Sequence, residues 1–331
     1  MKAVFLGTPS FAVPSLDAVL AECELAAVVT RPDRPRGRGL RVEPAAVAVA
    51  AHQYALDIWK PESLRDPGFL AELRRLAADL LIVVAYGRLI PRAALDLARL
   101  GGINLHPSLL PRYRGAAPIP RAIAAGERET GVTVLYLSDK MDAGDIILQR
   151  AVPVSSRDTT ATLEPRLARE GAALLAEAVR LLDAGTAPRH PQDHSKASFA
   201  PKLSREEALI RWSASAVRIV DLVRALDPWP VAYTIRDGEP LKVWRASAIP
   251  NERCGASGAG GERFPPGTVV AAGGQDPPFV VAAGDGCVAI HEVQPASGRR
   301  MASAAYLLGH PLATGTVLGQ DATGRQERML K

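Results

Sequence analysis

The chain has 331 residues, of which 47% are hydrophobic and 23% are charged, and its formal net charge is +5. This much apolar material is enough for the cores of two domains and excludes a small scaffold that depends on disulfides or metal ions for its stability. The three cysteines, Cys23, Cys254 and Cys287, are odd in number and far apart, which favours a reducing compartment over a disulfide framework or a zinc site.

The first half of the chain alternates short apolar runs with helical patterns. Strands are predicted at 2–6, 25–30, 79–85, 102–106, 132–138 and 146–154, and helices at 11–22, 44–54 and 160–182. Most runs are continuously apolar, as in strands covered on both faces, so we expect a doubly wound, mostly parallel α/β sheet. The first run breaks at Gly7 and is shorter than a signal peptide or a membrane span of roughly 20 residues, which predicts a cytoplasmic protein with no membrane contact.

A stretch rich in Pro, Ser and Ala, without periodicity, covers residues 184–204 and predicts a linker. Within it, His190 and His194 have the spacing of a helical metal pair, but Pro191 lies between them and no other ligand is near in the sequence. A linker is therefore favoured over a metal site.

Beyond the linker, one helix and several short strands predict a second domain. The helix is predicted at 214–226 and the strands at 231–236, 241–246, 268–272, 279–283 and 287–293. Short strands separated by glycine-containing turns are typical of a small β-barrel of the oligonucleotide-binding (OB) type. The predicted organisation is a first domain at 1–184, a linker at 185–205 and an OB-like domain at 206–331.

An arginine-rich segment follows the second predicted strand. Between residues 31 and 41 the sequence RPDRPRGRGLR holds five arginines and a single acid, Asp33. Arginine pairs with phosphate groups through two parallel hydrogen bonds, so the segment is either a solvated loop or an arm that contacts a phosphate-bearing partner. Charge alone leaves both interpretations open.

Three polar residues are expected to meet at the carboxyl edge of the first sheet, where open α/β sheets bind ligands. Asn104 and His106 are two residues apart at the end of a predicted strand, so their side chains point to the same face. Asp142 lies in a predicted turn between two later strands. The first strand is followed by GTPS rather than by a G-x-G-x-x-G fingerprint, which argues against a nicotinamide-dependent dehydrogenase.

The segment INLHPSLLPRYRGAAPI (103–119), followed by DAGD (142–145), resembles the folate-dependent formyltransferases. The longer stretches FLGTPSFAVPSL, TRPDRPRGRG, VVAYGRLIP and KLSREEALIRW resemble in particular the members that act on methionyl-tRNA. The resemblance implies a Rossmann-like catalytic domain, 10-formyltetrahydrofolate as the formyl donor, and no metal. It further implies that the acceptor is the amino group of methionine on initiator tRNA, for translation initiation, and it implies no protein partner.

The family's catalytic residues correspond to Asn104, His106 and Asp142 in this sequence. The resemblance implies that Asn104 and His106 donate hydrogen bonds to the oxyanion of a tetrahedral intermediate. It also implies that Asp142 orients His106 and moves the proton from the attacking amine to the leaving nitrogen. Asp145 is the alternative acid, although we expect it to order the turn.

The same resemblance assigns residues to the two substrates. A flat pterin ring needs an apolar slot with backbone hydrogen bonds at its edges. The loop expected to supply that slot consists of Ser108, Leu109, Leu110 and Pro111. Tyr86 and Gly87, at the end of another strand, would form the opposite wall. Arg38, in the arginine-rich segment, is the candidate contact to the acceptor end of the tRNA.

The C-terminal domain is expected to hold the tRNA, and this expectation rests on the resemblance because basic residues there barely outnumber acidic ones. Trp212, Trp229 and Trp244 could stack on bases, but aromatic residues of a small domain more often belong to its core.

Two other functions remain open from the sequence. A formyltransferase that acts on a nucleotide-linked amino sugar would share the three catalytic residues, although it has no use for an arm with five arginines. A non-catalytic RNA-binding protein on the same scaffold would have no need to retain those residues.

Overall fold

The structure is a computed structural model that describes residues 1–36, 41–250, 254, 264–273 and 278–319. The chain divides into two compact units. The first consists of Met1–Ile119, Arg128–Val154 and Thr162–Lys202, and the second of Pro120–Glu127, Ser155–Ala161 and Leu203–Lys331.

In the part of the chain that the structure describes, the first unit contains nine strands. They are β1 (Lys2–Gly7), β2 (Glu24–Val29), β3 (Arg34–Arg36), β4 (Arg41–Glu43), β5 (Ile58–Trp59), β6 (Leu80–Val84), β7 (Gly102–His106), β8 (Glu129–Tyr136) and β9 (Ile146–Pro153). Seven form one sheet in the order β5-β2-β1-β6-β7-β8-β9, and β3 and β4 form a separate antiparallel pair. The strands from β5 to β7 in that order run parallel, whereas β8 is antiparallel to both of its neighbours, β7 and β9. The predicted doubly wound, mostly parallel sheet is therefore confirmed.

The position of each strand in the sheet explains its residue pattern. The central strands β1 and β6 are buried on both faces, and Phe5 and Ile82 are fully buried. Phe69 and Leu73, from a helix on one face, belong to the same buried cluster as Val4. The last strand, β9, instead alternates buried with exposed residues, as expected for a strand at the sheet edge.

Over the described residues, six helices lie between or after these strands, and most of the fifth belongs to the second unit. They are α1 (Val13–Leu20), α2 (Ala46–Gln53), α3 (Pro67–Leu76), α4 (Arg92–Leu95), α5 (Pro118–Ala124) and α6 (Thr160–Asp183). The helices predicted near α1, α2 and α6 are confirmed, whereas α3 to α5 were not predicted. Local signals for α3 are nevertheless present. The Asp66 carboxylate accepts the Phe69 N–H at 2.9 Å, Pro67 begins the helix, and Ala77 ends it in a left-handed conformation with φ of 47°.

Over the residues that the structure describes, the second unit contains a six-stranded antiparallel sheet, two helices that follow the linker segment, and most of α5. Its elements are α7 (Ala216–Ala225), β10 (Tyr233–Arg236), β11 (Glu239–Pro250), β12 (Val269–Ala272), β13 (Phe279–Ala282), β14 (Gly286–Pro295), β15 (Met301–Ala302) and α8 (Ser303–Gly309). The order is β10-β11-β14-β13-β12, with β15 also paired to β14. Trp212, Ile219 and Phe279 belong to its buried apolar cluster, which agrees with the predicted small OB-like domain.

A buried arginine of α7 ties two short segments from the first half of the chain into the second unit. Arg224 is 9% exposed, and its Nε donates to the Asp221 carboxylate at 2.8 Å. Its two terminal nitrogens donate to the backbone carbonyls of Asp158 at 3.2 Å and Ile123 at 3.5 Å. The sequence did not reveal that these segments belong to the second unit, because they are far from α7 along the chain.

Two of the three cysteines lie together in the second unit. Cys254 and Cys287 belong to one buried cluster, with their Cα atoms 5.6 Å apart and a separation of 33 residues in the sequence. Sequence spacing alone did not reveal this proximity. Cys23 is a free thiol, and burial raises its pKa to about 11.

Candidate active site

Strand β7 presents two polar side chains at its carboxyl end. Ile103 and Leu105 are buried on one face of the strand, and the Leu105 side chain packs against Gly171 of α6. Asn104 and His106 therefore point to the other face, as predicted from their spacing. His106 is 4% exposed, whereas Asn104 is partly exposed. Among the described residues, the Asn104 amide has no hydrogen-bond partner, so it is available to a ligand.

Both ring nitrogens of His106 face oxygen atoms. Nε2 lies 2.9 Å from the backbone carbonyl of Tyr113. A carbonyl can only accept a hydrogen bond, so Nε2 carries a proton. Nδ1 lies 3.7 Å from Oδ2 of Asp142, which is too far for a direct hydrogen bond but close enough for a substrate atom or a water to bridge the two groups.

The turn that carries Asp142 has a constrained backbone. Asp142 adopts a left-handed conformation with φ of 51°, which Asp tolerates better than most residues. Its Oδ2 atom accepts the N–H of Gly115 at 2.9 Å. A side chain at Gly144 would place its Cβ 1.9 Å from the Tyr136 carbonyl oxygen, so the tight turn requires glycine there. The DAGD pattern thus reflects turn geometry as well as chemistry.

The alternative acid, Asp145, has a different partner. Its Oδ2 atom lies 3.5 Å from a guanidinium nitrogen of Arg189, which stacks 3.6 Å over the Tyr136 ring. Asp142, rather than Asp145, is the carboxylate that faces His106.

The predicted folate loop is fixed to the antiparallel strands by one buried hydroxyl. Thr133 on β8 accepts the Leu110 N–H at 3.2 Å and donates to the Ser108 carbonyl at 2.6 Å. The Gln149 amide on β9 donates to Thr133 at 2.9 Å and to the Leu110 carbonyl at 2.8 Å. Ser108 and Leu110 are buried, so they shape the loop from within.

The other two residues of that loop are more accessible. Leu109 and Pro111 are partly exposed, and the Leu109 side chain lies over Gly131 on β8. The apolar surface that the loop offers to a ligand therefore comes from Leu109 and Pro111. The sequence did not point to the supporting Thr133 and Gln149, because neither belongs to a motif.

Tyr86 and Gly87 leave the sheet next to β7, since Val84 on β6 pairs with Leu105. The Tyr86 side chain is 1% exposed within the core of the unit, and burial raises the pKa of its phenol. Gly87 is the more open of the two positions for a ligand contact. A guanidinium nitrogen of Arg31 lies 3.0 Å from the position that a Cβ on Gly87 would occupy.

The arginine-rich segment begins as part of a hairpin. Strands β3 (Arg34–Arg36) and β4 (Arg41–Glu43) pair with each other. They follow β2 in the chain, beyond its carboxyl end. Near the base of the hairpin, Asp33 pairs with Lys60 at 2.6 Å. Arg38 lies outside the described residues, so its proposed contact with tRNA stays a prediction.

The segment predicted as a linker makes specific contacts within the first unit as far as Lys202. His190 exchanges two backbone hydrogen bonds with Ile146, at 2.8 and 3.0 Å. His194 Nδ1 lies 3.0 Å from a terminal nitrogen of Arg114. Gln192 is buried and contacts both Arg114 and the Asp142 turn. Sequence reasoning missed Gln192, for which no periodicity or motif gave a signal, and it assigned no role to Arg114, although that residue lies within the quoted segment 103–119.

The three tryptophans of the second unit differ in exposure. Trp212 is buried in the core, and its Nε1 donates to Thr234 at 3.0 Å. Trp244 is partly buried beneath the guanidinium of Arg300, whereas Trp229 is 49% exposed. The prediction of a core role is confirmed for Trp212.

Within the described part of the chain, no group of three or more His, Cys, Asp or Glu side chains is arranged to hold a metal ion. Over the same residues, none of the helices combines the length and the apolar character needed to cross a lipid bilayer.

Comparison with known families matches both halves of the chain. Residues 1–179 match the family described as formyl transferase, and residues 202–311 match the family described as formyl transferase, C-terminal domain. A methionyl-tRNA formyltransferase of Moorella thermoacetica is 46% identical over 320 residues, which cover 96% of this chain and 99% of that relative. One of Syntrophus aciditrophicus is 43% identical over 317 residues, covering 96% and 98%.

Solved structures show the same fold. An N-formyltransferase of Helicobacter canadensis, in complex with folinic acid and dTDP-3-aminofucose, has a TM-score of 0.63 and 17% sequence identity. The alignment covers 88% of this chain and 98% of that one. At this identity the likeness concerns the fold alone.

Proposed function

The chain belongs to the formyl transferase family, and from this premise we propose that it transfers the formyl group of 10-formyltetrahydrofolate to the amino group of methionine carried by tRNA. The observation that carries the proposed site is the convergence of Asn104, His106 and Asp142 at one edge of the sheet. Full-length relatives that act on methionyl-tRNA favour this acceptor over a nucleotide-linked amino sugar.

The reaction needs an oxyanion donor and a route for one proton. The amine nitrogen attacks the formyl carbon, a new C–N bond forms, and the bond from that carbon to the folate nitrogen breaks. One proton passes from the amine to the leaving nitrogen. The Asn104 amide suits the oxyanion because it is partly exposed and without a hydrogen-bond partner among the described residues. A preorganised donor of this kind stabilises charge that develops in the transition state.

Asp142 is assigned to the proton. His106 can donate to the oxyanion, the role expected from the sequence, only from Nδ1, because its Nε2 already donates to the Tyr113 carbonyl. The Tyr113 carbonyl fixes the Nε2 side of the imidazole, so its Nδ1 side is presented to Asp142. The Asp142 carboxylate, directly or through a water, can accept the amine proton and return it to the folate nitrogen. With these groups in place the leaving nitrogen needs no Lewis acid.

We assign the formyl donor to the space beside these groups. Leu109 and Pro111 supply a partly exposed apolar edge, while Thr133 and Gln149 hold the loop in one conformation. Gly87 follows the end of the neighbouring strand, and it has no side chain that would fill the space. These features support the assignment of residues 108–111 and 86–87 to the folate.

We further propose that the tRNA is the initiator, that the arginine hairpin contacts its acceptor end, and that the OB-like domain at 206–331 holds its body. Residues 1–184 then act as the catalytic domain and residues 185–205 as the connection. Because the proposed role is in translation initiation, we also propose that the protein works in the cytoplasm. Arginine contacts to phosphate weaken steeply as salt rises, so the affinity for tRNA should fall with ionic strength.

The test is formyl transfer by the purified protein with three competing acceptors: charged initiator methionyl-tRNA, charged elongator methionyl-tRNA and a nucleotide-linked amino sugar. Strong preference for the initiator is expected. Transfer to the sugar alone would refute the acceptor, and an absence of transfer to all three would refute the enzyme.

Two variants test the residue assignments. Asp142→Ala should remove nearly all turnover while the donor still binds. Asp145→Ala is the matched control, because Asp145 pairs with Arg189 instead of facing His106.

Arg38→Ala should raise the KM for tRNA and leave folate affinity unchanged, whereas Arg75→Ala, on the exposed face of α3, should change neither.

A further inference from the structure

Residues 190–200, which we call the strap, run alongside the loop that follows the proposed folate segment. The Arg114 N–H donates to the Ser198 carbonyl at 2.8 Å, and the Arg114 carbonyl accepts from Ala200 at 2.7 Å. The Tyr113 N–H donates to the Ser198 hydroxyl at 2.9 Å. Because the Tyr113 carbonyl contacts His106, the strap holds the backbone that fixes the imidazole.

Gln192 is the buried side chain of the strap, with 7% exposure. Its amide nitrogen donates to the backbone carbonyls of Asp142 at 2.9 Å and Gly144 at 2.7 Å. Its amide oxygen accepts two hydrogen bonds from Arg114, at 3.2 and 2.6 Å. Carbonyls only accept and a guanidinium only donates, so these partners fix the orientation of the amide and use both of its N–H groups.

Asp142 is consequently held from two directions. The Gly115 N–H holds its carboxylate at 2.9 Å, and Gln192 holds its backbone carbonyl. Gly115 follows Arg114 directly, so the Gln192–Arg114 contact fixes the loop and the turn relative to each other. The left-handed backbone of Asp142, with φ of 51°, is a conformation that persists where surrounding contacts over-determine it.

We propose that Gln192 is a positioning residue for formyl transfer, which keeps the Asp142 carboxylate directed at His106. The inference rests on the proposed function, because it acts through the role assigned to Asp142. Small displacements of a reacting group reduce turnover strongly, by on the order of 100-fold for about 1 Å.

The test uses Gln192→Met, which has a similar length without hydrogen-bond donors, and Gln192→Glu, which keeps an acceptor for Arg114 but cannot donate to the two carbonyls. We expect kcat to fall on the order of 10- to 100-fold in both, with the dissociation constant for the folate donor unchanged. Asp193→Ala is the control. The Asp193 carboxylate accepts hydrogen bonds from the backbone N–H and the hydroxyl of Ser195 in the same strap, but it does not contact the Asp142 turn.

A second readout separates positioning from a general loss of stability. In an Asp142→Ala background, the added Gln192→Met substitution should lower the residual rate by less than about twofold, because the group it positions is gone. Full additivity, or a normal kcat in both Gln192 variants, would overturn the inference. Should Gln192→Met not fold, Gln192→Glu carries the same comparison. A normal kcat in Asp142→Ala alone would instead overturn the proposed catalytic role.

Discussion

The two units of this protein hold their parts together in different ways. Around His106, hydrogen bonds join segments that are far apart in the sequence: 27 residues separate Gly115 from Asp142, and 50 separate Asp142 from Gln192. In the second unit, antiparallel strands pair with one another around an apolar cluster. The first arrangement is built from directional polar contacts, and the second from buried apolar surface.

This difference predicts whether a substitution mainly changes turnover or mainly changes stability. Hydrogen bonds depend on distance and angle, so losing one at the site changes geometry more than net stability. Burial of apolar surface is non-directional, so losing a core side chain changes the free energy of unfolding. Turnover should therefore be the sensitive quantity in the first unit and stability in the second.

The largest expected effect is on stability in the second unit. Trp212 is 5% exposed in its core, so Trp212→Ala should cost about 3–5 kcal/mol of unfolding free energy in urea denaturation. The exposed Trp229 is the control, and Trp229→Ala should change that free energy by less than about 0.5 kcal/mol. Equal losses of unfolding free energy in both variants would show that burial of the side chain does not determine the effect.

The next effect is on turnover in the first unit. Asn104→Ala removes the proposed oxyanion donor and should lower kcat about 100- to 1,000-fold, equivalent to about 3–4 kcal/mol. Because the amide has no hydrogen-bond partner among the described residues, the melting temperature should hardly change. Steady-state kinetics and thermal denaturation check this together, and a large drop in melting temperature with near-normal kcat would reverse the comparison.

A smaller effect is expected where a polar contact is both buried and structural. Thr133→Val leaves the Leu110 N–H and the Ser108 carbonyl without their partner, which should cost about 1–3 kcal/mol in stability and raise the KM for the donor. Thr130, on the same strand, is also buried, and its hydroxyl has no hydrogen-bond partner among the described residues. Thr130→Val should therefore be neutral, and an equal cost there would show that the lost hydrogen bonds of Thr133 are not the cause.

The smallest effect is a dependence of stability on pH in the second unit. Burial raises the pKa of the Asp227 carboxyl, partly offset by Arg300. The folded state thus holds the proton more tightly, and the stability linked to this group falls as pH rises above about 4, the ordinary pKa of aspartate. Asp227→Asn should gain stability relative to the unsubstituted protein between pH 4 and neutrality. Thermal denaturation at both pH values checks this, and a constant difference would contradict it.

Much of the fold and the centre of the site could be predicted. Continuous apolar runs indicated the parallel sheet, and the two-residue spacing of Asn104 and His106 placed both on one face. The helix α3 was missed although Asp66 and Pro67 mark its start. The proximity of Cys254 and Cys287 was missed because the packing of the second unit, not sequence spacing, brings the two residues together.

The sequence by itself determined the local structure, since apolar periodicity and turn chemistry act over a few residues. It also determined which chemical groups are available, through the motif that carries Asn104, His106 and Asp142. Only the tertiary structure decided which of two nearby carboxylates faces His106, and that a segment read as a linker contributes Gln192 to the support of that carboxylate. Such contacts join residues tens of positions apart, and hydrogen-bond geometry over that separation exists only once the sheet has brought the segments together.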